Sequence, residues 1–366
     1  TSPQRSGTCS SSTLAQMKVT LKTKRSSAHI DVAAGESILF AGLRQGWALP
    51  HECASGTCGT CQAQPIDGDV AELWTHAPGK DHIPEGAARI LTCQTTSCSD
   101  ATLRLFGRLE QQSDGYPRPD YANATLLEFI RINSDVAFFK LALDRDFQFV
   151  AGQFAMLRFP NIKGWRAYSM CHIGTNAREI EFLIKHLPNG VVSEHLFESV
   201  EIGQSVEVFG PLGRACLNHN HEDKDIVAIA GGSGIAGILA VMQSVLDTEH
   251  FISDRVQVFF GLRNPADDFC LDRLSDIVRR SSGQIEVTIV YSERDGVAGD
   301  HPKYTNLKIG FGYVHNLAFS KMNSKEMWEE HTCFVAGPPI MVNATEAALQ
   351  ERFGLSPTQI RLDRFG

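Results

Sequence analysis

The chain has 366 residues, which is too long for one ordinary domain and predicts two or three. Its formal net charge of −8 argues against nucleic acid as a partner. No stretch approaches the roughly eighteen consecutive apolar residues of a membrane-spanning helix, so we expect no membrane partner and a cytoplasmic protein.

The N-terminal part of the chain has the pattern of a small α+β domain. Residues 1–16 are rich in Ser and Thr and predict a disordered arm. Residues 17–106 contain the strand-like runs MKVTLKT, HIDVA and ATLRLF and a helical stretch, GESILFAGLRQG. With the cysteine loop described next, they predict a β-grasp ferredoxin domain. The Gly- and Pro-containing segment 107–119 predicts a stiff linker.

Four cysteines of this domain form the most specific motif in the sequence. Cys53, Cys58 and Cys61 are spaced C-x4-C-x2-C, and Cys93 follows at a distance. This spacing is typical of the ligands of a plant-type [2Fe–2S] cluster. The residues between the first three cysteines are small, which lets a tight loop turn its N–H groups towards sulfur. A chain with such a cluster moves single electrons.

Other interpretations of these cysteines are less favoured. Structural zinc sites usually pair two short Cys/His knuckles, and a disulfide framework is unusual in a chain of this length. Cys98 is the alternative fourth ligand, but Cys93 follows the apolar Ile90-Leu91, as the end of a buried strand would. We expect the remaining six cysteines to be reduced thiols; they are Cys9, Cys98, Cys171, Cys216, Cys270 and Cys333.

The rest of the chain changes pattern near residue 220. Residues 120–218 contain short β-branched and aromatic runs punctuated by Gly, Pro and Asn, which predicts an antiparallel β-barrel with one helix, SEHLFESV. Residues 224–366 alternate apolar strands such as DIVAIAG, VQVFFGL and IEVTIVY with helical stretches. This alternation predicts a parallel α/β domain.

Five short motifs follow one another in these two regions: RAYS, GVVS, GPLG, GGSGIA and AGPPIM. In this order the chain resembles the ferredoxin–NADP reductase superfamily. It is most similar to the reductase components of bacterial multicomponent oxygenases, in which ferredoxin, flavin and nicotinamide modules follow in that order. The resemblance covers residues 17–366. It implies an FAD-binding barrel and an NAD-binding α/β domain.

The resemblance assigns flavin contacts to the RAYS motif. It implies that Arg166 pairs with the flavin pyrophosphate, that Tyr168 packs on the flavin, and that Ser169 hydrogen-bonds near its N5 atom. Tyr168 and Ser169 are therefore the catalytic candidates. A guanidinium fork suits phosphate oxygens. Taken alone, the motif would favour the interpretation of a strand that happens to carry an exposed Arg and a half-buried Tyr.

The GVVS motif resembles that of the FAD-type members, as does the position of the ferredoxin module at the N-terminus. Ser193 is expected to open a helix whose free N–H groups receive a phosphate, or to serve only as the N-cap. The candidate residues of this part are Ile184, Lys185, Gly190, Val191, Val192 and Ser193.

Two glycine motifs resemble the nicotinamide loops of the family. GGSGIAG contains G-x-G-x-x-G, but a Rossmann dinucleotide site would want a carboxylate after the next strand, where Arg263 stands. In AGPPIM, Ala336 replaces the Cys of many members. Cys333 is not expected to substitute, because an offset of three along a strand points to the opposite face. The candidate residues are Gly232, Ser233, Gly234, Ile235, Arg263, Gly337, Pro338 and Met341.

The choice of nicotinamide cofactor is tied to residues that follow the strand IEVTIVY. Ser292 and Glu293 would accept hydrogen bonds from ribose hydroxyls, and the carboxylate would repel a 2′-phosphate, which favours NADH. Arg294 argues for NADPH, and all three could simply be exposed. Phe365 is a candidate to lie against the flavin.

The predicted function is electron transfer from NADH through FAD and the cluster to an oxygenase component with a Rieske or di-iron centre. Alternatives are a reductase that uses NADPH or another one-electron acceptor, and a non-catalytic iron–sulfur sensor. A ferredoxin module fused to an unrelated α/β protein is a further alternative. A respiratory quinone reductase is disfavoured, because we expect no membrane helix.

Overall fold

The computed structural model describes residues 16–112, 115–172, 177–217, 224–247 and 255–364. The chain divides into two compact units. The first runs from the N-terminus to Tyr121 and also includes Met156–Ala167 and Phe209–Pro211. The second consists of Ala122–Ala155, Tyr168–Val208 and Leu212–Gly366.

The first unit contains a five-stranded mixed sheet with one helix packed on it. The sheet order is β2-β1-β8-β4-β6, with β1 and β8 parallel and the other pairs antiparallel; β3 pairs with β9, and β5 with β7. The elements are β1 Gln16–Lys22, β2 Ser27–Ala33, α1 Ile38–Arg44, β3 Trp47–Ala48, β4 Gln62–Asp67, β5 Val70–Glu72, β6 Ile90–Leu91, β7 Thr95–Ser97, β8 Ala101–Leu105 and β9 Glu110–Gln111. Short 3-10 turns span Pro78–His82 and Thr92–Gln94.

Local sequence explains why this sheet and helix form. Buried and exposed residues alternate along β2, so one face of the strand lies in the core. Helix α1 begins after Ser37, whose side chain accepts a hydrogen bond from Phe40 N, and its residues Ile38–Leu43 are buried. The strand β9 lies within the predicted linker 107–119, and β1 begins at Gln16.

A six-stranded sheet follows, in the order β13-β12-β15-β10-β11-β14, and its β10–β11 and β11–β14 pairs are antiparallel. A bridge between Met170, directly after β13, and Phe182 of β14 joins the two edges of this sheet. The sheet is therefore nearly closed, as expected for a barrel. Its elements are β10 Asp120–Arg131, β11 Val136–Phe147, β12 Phe154–Arg158, β13 Arg166–Ser169, β14 Ala177–Lys185, α2 Val191–Glu198 and β15 Ser205–Leu212.

The C-terminal part is a seven-stranded sheet in the order β19-β20-β18-β17-β16-β21-β22, parallel except for the β19–β20 pair. Its elements are β16 Asp225–Gly231, α3 Ile235–Asp247, β17 Val256–Leu262, α4 Leu271–Arg280, β18 Ile285–Tyr291, β19 Gly299–Asp300, β20 Lys308–Phe311, α5 Val314–Lys321, α6 Lys325–Glu329, β21 His331–Gly337, α7 Pro339–Glu351 and β22 Ile360–Arg364.

Helices cover both faces of this sheet. One core contains α3 and α4, and the other contains α5 and α7. Burial on both faces explains why the central strands are almost wholly apolar. The predicted fold classes are confirmed for all three parts of the chain. Among the described helices, none has the length and apolar character needed to cross a membrane.

Candidate cluster, flavin and nicotinamide sites

The structure brings the four predicted cluster ligands together in the first unit. Cys61 Sγ lies 3.2 Å from Cys93 Sγ, and Cys58 N donates to Cys53 Sγ at 3.4 Å. All four are free thiols, and all but Cys58 are buried. A main-chain N–H therefore already faces sulfur, as the small residues of the loop predict.

Two glycines of the cysteine loop are required by its tight path. Gly56 and Gly59 have φ values of +93° and +74°, where side chains are strained. A Cβ on Gly56 would lie 2.7 Å from Gln94 Cγ, and one on Gly59 would lie 2.9 Å from Gly79 O. The loop thus wraps closely around its sulfurs and is covered by the turn Pro78–His82.

The thiols fit a cluster better than a single ion. Within the described ranges, no group of three or more His, Cys, Asp or Glu side chains is placed to hold one metal ion. Two bridged irons divide four sulfurs between two centres, so they do not require convergence on one point. Hydrogen bonding from Cys58 lowers the pKa of Cys53 to about 3, and hydrogen bonding from Cys93 lowers the pKa of Cys61. The same hydrogen bonds raise the pKa of Cys58 and of Cys93, so one thiol of each pair donates to the sulfur of the other.

The oxidation state of Cys98 differs from the one predicted from the sequence. It is disulfide-bonded, so its prediction as a reduced thiol is wrong. Cys171, Cys216, Cys270 and Cys333 are free, as expected, and Cys9 lies outside the described residues.

The flavin candidates of RAYS lie on β13. The side chains of Arg166, Tyr168 and Ser169 are all half-buried. Arg166 Nη1 donates to Trp165 O at 3.0 Å, which uses one of five N–H donors. Tyr168 packs edge-on against Phe139, with 5.8 Å between ring centroids. These side chains are therefore positioned by packing but retain exposed surface for a ligand.

Ser169 has a partner that the sequence did not reveal. Its Oγ donates to Asp363 Oδ2 on β22 at 2.8 Å. Burial raises the pKa of Asp363 to about 6, against the lowering effect of this hydrogen bond. The two residues are 194 positions apart, and no local motif marks Asp363.

The GVVS motif forms the start of α2, with one correction. The helix begins at Val191 with Gly190 as its N-cap, so the prediction that Ser193 opens the helix is wrong. Ser193 is buried, accepts from Leu187 N at 3.0 Å and donates to Leu187 O at 3.1 Å. Because its hydroxyl closes this turn, main-chain N–H groups are the available donors. Val191 is exposed and Val192 is buried.

The residues before α2 also bear on the flavin assignment. Ile184 is buried in the sheet, and Lys185 pairs with Asp135 at 3.5 Å. His186 Nε2 is buried and has no hydrogen-bond partner within the described part of the chain. An orphaned polar atom next to a predicted phosphate loop fits a polar ligand bound there.

The two nicotinamide motifs meet at the carboxyl ends of β16 and β21. A Cβ on Gly234 would lie 2.3 Å from Ala336 O, and one on Gly337 would lie 3.1 Å from Gly231 O and 2.9 Å from Met341 Cε. Ser233 is half-buried, Ile235 is buried, and Pro338 is the exposed N-cap of α7. The close backbone approach explains the glycines.

Arg263, Ser292 and Glu293 lie at the same edge of the sheet, after β17 and β18. Glu293 N donates to Arg263 O at 2.8 Å, and Ser292 N donates to Leu262 O. All three side chains are exposed, and Arg263 pairs with Asp267 at 2.9 Å. The carboxyl ends of parallel strands are where open α/β sheets bind ligands. Phe365 lies outside the described residues.

Comparison with known proteins agrees with this geometry. A 2Fe-2S iron-sulfur cluster binding domain matches residues 21–98, an oxidoreductase FAD-binding domain residues 123–216, and an oxidoreductase NAD-binding domain residues 228–347. Together the three matches show an oxidoreductase with an iron–sulfur domain, an FAD-binding domain and an NAD-binding domain. Its cofactors are accordingly a [2Fe–2S] cluster, FAD and a nicotinamide dinucleotide.

Relatives of the reductase match nearly its whole length. The reductase component DmpP of phenol 2-monooxygenase from Pseudomonas sp. (strain CF600) is 26% identical over 323 residues, covering 88% of this chain and 87% of the relative. The ferredoxin–NAD(+) reductase component of the alkene monooxygenase system from Xanthobacter autotrophicus (strain ATCC BAA-1158 / Py2) is 29% identical over 334 residues, covering 90% and 95%.

Two solved structures also resemble the reductase. The ferredoxin reductase in carbazole 1,9a-dioxygenase has a TM-score of 0.79 and 27% identity, covering 96% of this chain and 99% of that one. The Amycolatopsis cytochrome P450 reductase GcoB has a TM-score of 0.77 and 26% identity, covering 95% and 98%.

Ala336 is the main departure of the reductase from its family pattern. It pairs with Ala230 on β16 and with Asp363 on β22. Cys333 belongs to the core on the opposite face of the sheet, as its offset of three predicts. The thiol of many family members is therefore absent from this position and is not replaced by Cys333.

Proposed function

We propose that the reductase takes electrons from NADH and delivers them one at a time to an oxygenase component with a Rieske or di-iron centre. The observation that carries the proposal is the buried four-cysteine loop in a chain that also has FAD- and NAD-binding domains. FAD accepts two electrons as a hydride and releases them singly, and the cluster carries one electron. No side-chain nucleophile is needed, so the protein's task is binding and positioning.

The proposed roles of the flavin residues follow from their placement. Arg166 holds the pyrophosphate, because its guanidinium is half-buried and offers a planar fork of donors. The N–H groups after Gly190, at the start of α2, would donate hydrogen bonds to the phosphate oxygens. Tyr168 packs on the flavin, and Asp363 orients the Ser169 hydroxyl through the 2.8 Å hydrogen bond. Such fixed geometry favours close, aligned approach of the nicotinamide.

The nicotinamide residues support NADH over NADPH. Open space surrounds Gly232, where no atom lies within 4 Å of an added Cβ, so a dinucleotide can approach the main chain there. The exposed Glu293 carboxylate lies beside Arg263, whose guanidinium already pairs with Asp267 at 2.9 Å. A 2′-phosphate would therefore meet a carboxylate and an arginine that is already engaged.

The identity of the acceptor rests on the relatives. The relatives are reductase components of a phenol monooxygenase, an alkene monooxygenase and a carbazole dioxygenase. GcoB is a cytochrome P450 reductase, which makes a haem monooxygenase the second candidate acceptor. We propose that the protein acts in the cytoplasm, where NADH is available as the electron donor.

The decisive experiment is an anaerobic titration of the purified protein with NADH and, separately, NADPH. Visible spectra should show bleaching of flavin and cluster together, and low-temperature EPR should show a reduced [2Fe–2S] signal. NADH is expected to act at lower concentration than NADPH. Zinc in place of iron, absence of inorganic sulfide, or a flavin that reduces without the cluster would contradict the proposal. Rapid dye reduction by NADH would exclude the sensor alternative.

A further inference from the structure

The ferredoxin-type domain packs on the segment that leads into β13, within the first unit. Trp165 lies edge-on to Phe40 of α1, with 5.5 Å between ring centroids, and 6.0 Å from Tyr121. Phe40 also stacks on Phe209 at 4.1 Å with an interplanar angle of 8°. Phe40 is fully buried, so this aromatic contact is part of a core. The residue before Arg166 is therefore fixed by the ferredoxin-type domain.

Arg166 itself is contacted by a second aromatic residue of that domain. Its Cζ lies 5.6 Å from the ring centroid of Trp74. Trp74 is half-buried and sits between β5 and the Pro78–His82 turn. This distance is within the range of a cation–π interaction, for which Trp is the strongest partner.

Trp74 is anchored to both parts of the cluster site. Its neighbour Leu73 donates through its main-chain N–H to Gln94 O at 2.8 Å, directly after Cys93. On the other side, the turn that follows Trp74 places Gly79 N 2.8 Å from Gly56 O in the cysteine loop. A displacement of the cysteine loop would thus be felt at Trp74.

The contact of Trp74 with Arg166 is compatible with phosphate binding. A guanidinium stacks on an aromatic ring through its face, whereas it donates to phosphate through the N–H groups at its edge. Trp74 therefore restricts the rotamers of Arg166 without consuming its remaining donors. Holding the fork in place before the ligand arrives reduces the entropy cost of binding.

We propose that Trp74 is a positioning residue through which the ferredoxin-type domain strengthens FAD binding at Arg166. The inference rests on the proposed role of Arg166 in holding the pyrophosphate. Because coupling between two binding events is reciprocal, bound FAD also stabilises the contact of Arg166 with Trp74. The domain that receives electrons from the flavin thus helps to retain it.

The test is the FAD dissociation constant of the full-length Trp74→Leu variant. Flavin is first removed, and the flavin-free protein is then titrated with FAD while the change in flavin fluorescence is measured. We expect it to rise about three- to tenfold, the change that corresponds to loss of one half-buried cation–π contact. Phe106→Leu is the matched control, because it removes the contact of Arg89 with Phe106 at 4.0 Å in the same domain. That control should leave FAD affinity unchanged.

Two further variants separate the possible failures. Arg166→Ala should weaken FAD binding, and Trp74→Leu should add nothing in that background. If Arg166→Ala binds FAD normally, the proposed role of Arg166 fails. If Arg166→Ala weakens binding but Trp74→Leu matches wild type, only the present inference is overturned. An unchanged visible circular dichroism spectrum of the cluster in Trp74→Leu shows that the domain is folded; loss of that spectrum would assign Trp74 a structural role and also overturn the inference.

Discussion

The pairing of Ser169 with Asp363 predicts an unusual dependence of stability on pH. Burial raises the pKa of Asp363 from its ordinary 3.8 to about 6 in the folded protein. Between these values the unfolded chain releases its proton while the folded chain retains it. The stability that the neutral carboxyl contributes is therefore complete below the lower pKa and is lost as pH rises through the higher one. A shift of about 2 units corresponds to about 3 kcal/mol.

The substitution Asp363→Asn tests this reasoning, because the amide is neutral at every pH. About half of the 3 kcal/mol is lost by pH 5, so the stability of Asp363→Asn relative to wild type should rise by about 1.4 kcal/mol between pH 5 and pH 8. Any pH-independent effect of the amide cancels in this comparison. Ser169→Ala should act in the opposite sense. Without that hydrogen bond the pKa of Asp363 rises further, so Ser169→Ala should lose more stability than wild type as pH rises from 5 to 8.

The assay is urea unfolding of flavin-free protein, followed by thiol labelling of Cys333 and quantified by mass spectrometry of its peptide. Cys333 is fully buried in the parallel sheet, so its labelling reports the unfolding of this domain. Removing the flavin keeps differences in FAD affinity out of the comparison. A stability difference between Asp363→Asn and wild type that stays constant from pH 5 to pH 8 would refute the argument, as would a weaker pH dependence in Ser169→Ala.

Three further predictions concern the cofactor sites. Cys93→Ser should lose the cluster absorption and the reduction of one-electron acceptors while NADH still reduces the flavin, whereas Cys270→Ser, at a buried free thiol, should retain both activities. Gly234→Ala should lower stability by about 1–3 kcal/mol in urea unfolding, because its Cβ would lie 2.3 Å from a carbonyl oxygen of β21. Gly299→Ala, with no atom within 4 Å of the added Cβ, should have little effect. Glu293→Gln should lower the ratio of kcat/KM for NADH to that for NADPH by about three- to tenfold; an unchanged ratio would remove Glu293 from cofactor selection.

Features that depend on neighbouring residues were predictable from the sequence. The C-x4-C-x2-C spacing marks the cysteine loop because one short loop supplies three sulfurs. The apolar runs of β16, β17 and β18 mark a sheet that is covered on both faces. The glycines of GGSGIA and AGPPIM mark positions where two loops approach within the radius of a side chain. The first two features have their physical cause within the motif itself, whereas the glycines mark a close approach without revealing which distant segment approaches.

Contacts between distant segments were not predictable in this way. Asp363 is 194 positions from Ser169, and Trp74 lies in the ferredoxin-type domain, far from Arg166 in sequence. Each partner has an ordinary sequence environment, so only the folded chain reveals the pair. The prediction that Ser193 opens α2 was wrong for a local reason. Gly190 takes the N-cap position, and the Ser193 hydroxyl donates to Gly190 O within the turn.

The pairing of Ala336 with Asp363 changes how the family departure at this position is interpreted. In the sequence, Ala336 means only that the nicotinamide-side loop lacks the thiol that many family members carry there. In the structure, Ala336 lies beside Asp363 on β22, and both line a small cavity with Gly237. A Cβ on Gly237 would lie 3.8 Å from Ser169 Cβ, an ordinary contact distance. The small residues therefore leave room beside Ser169, and the adjacent strand supplies the polar group. Because hydride transfer requires approach and alignment rather than a thiol, Ala336 at this position removes no group that the proposed reaction needs.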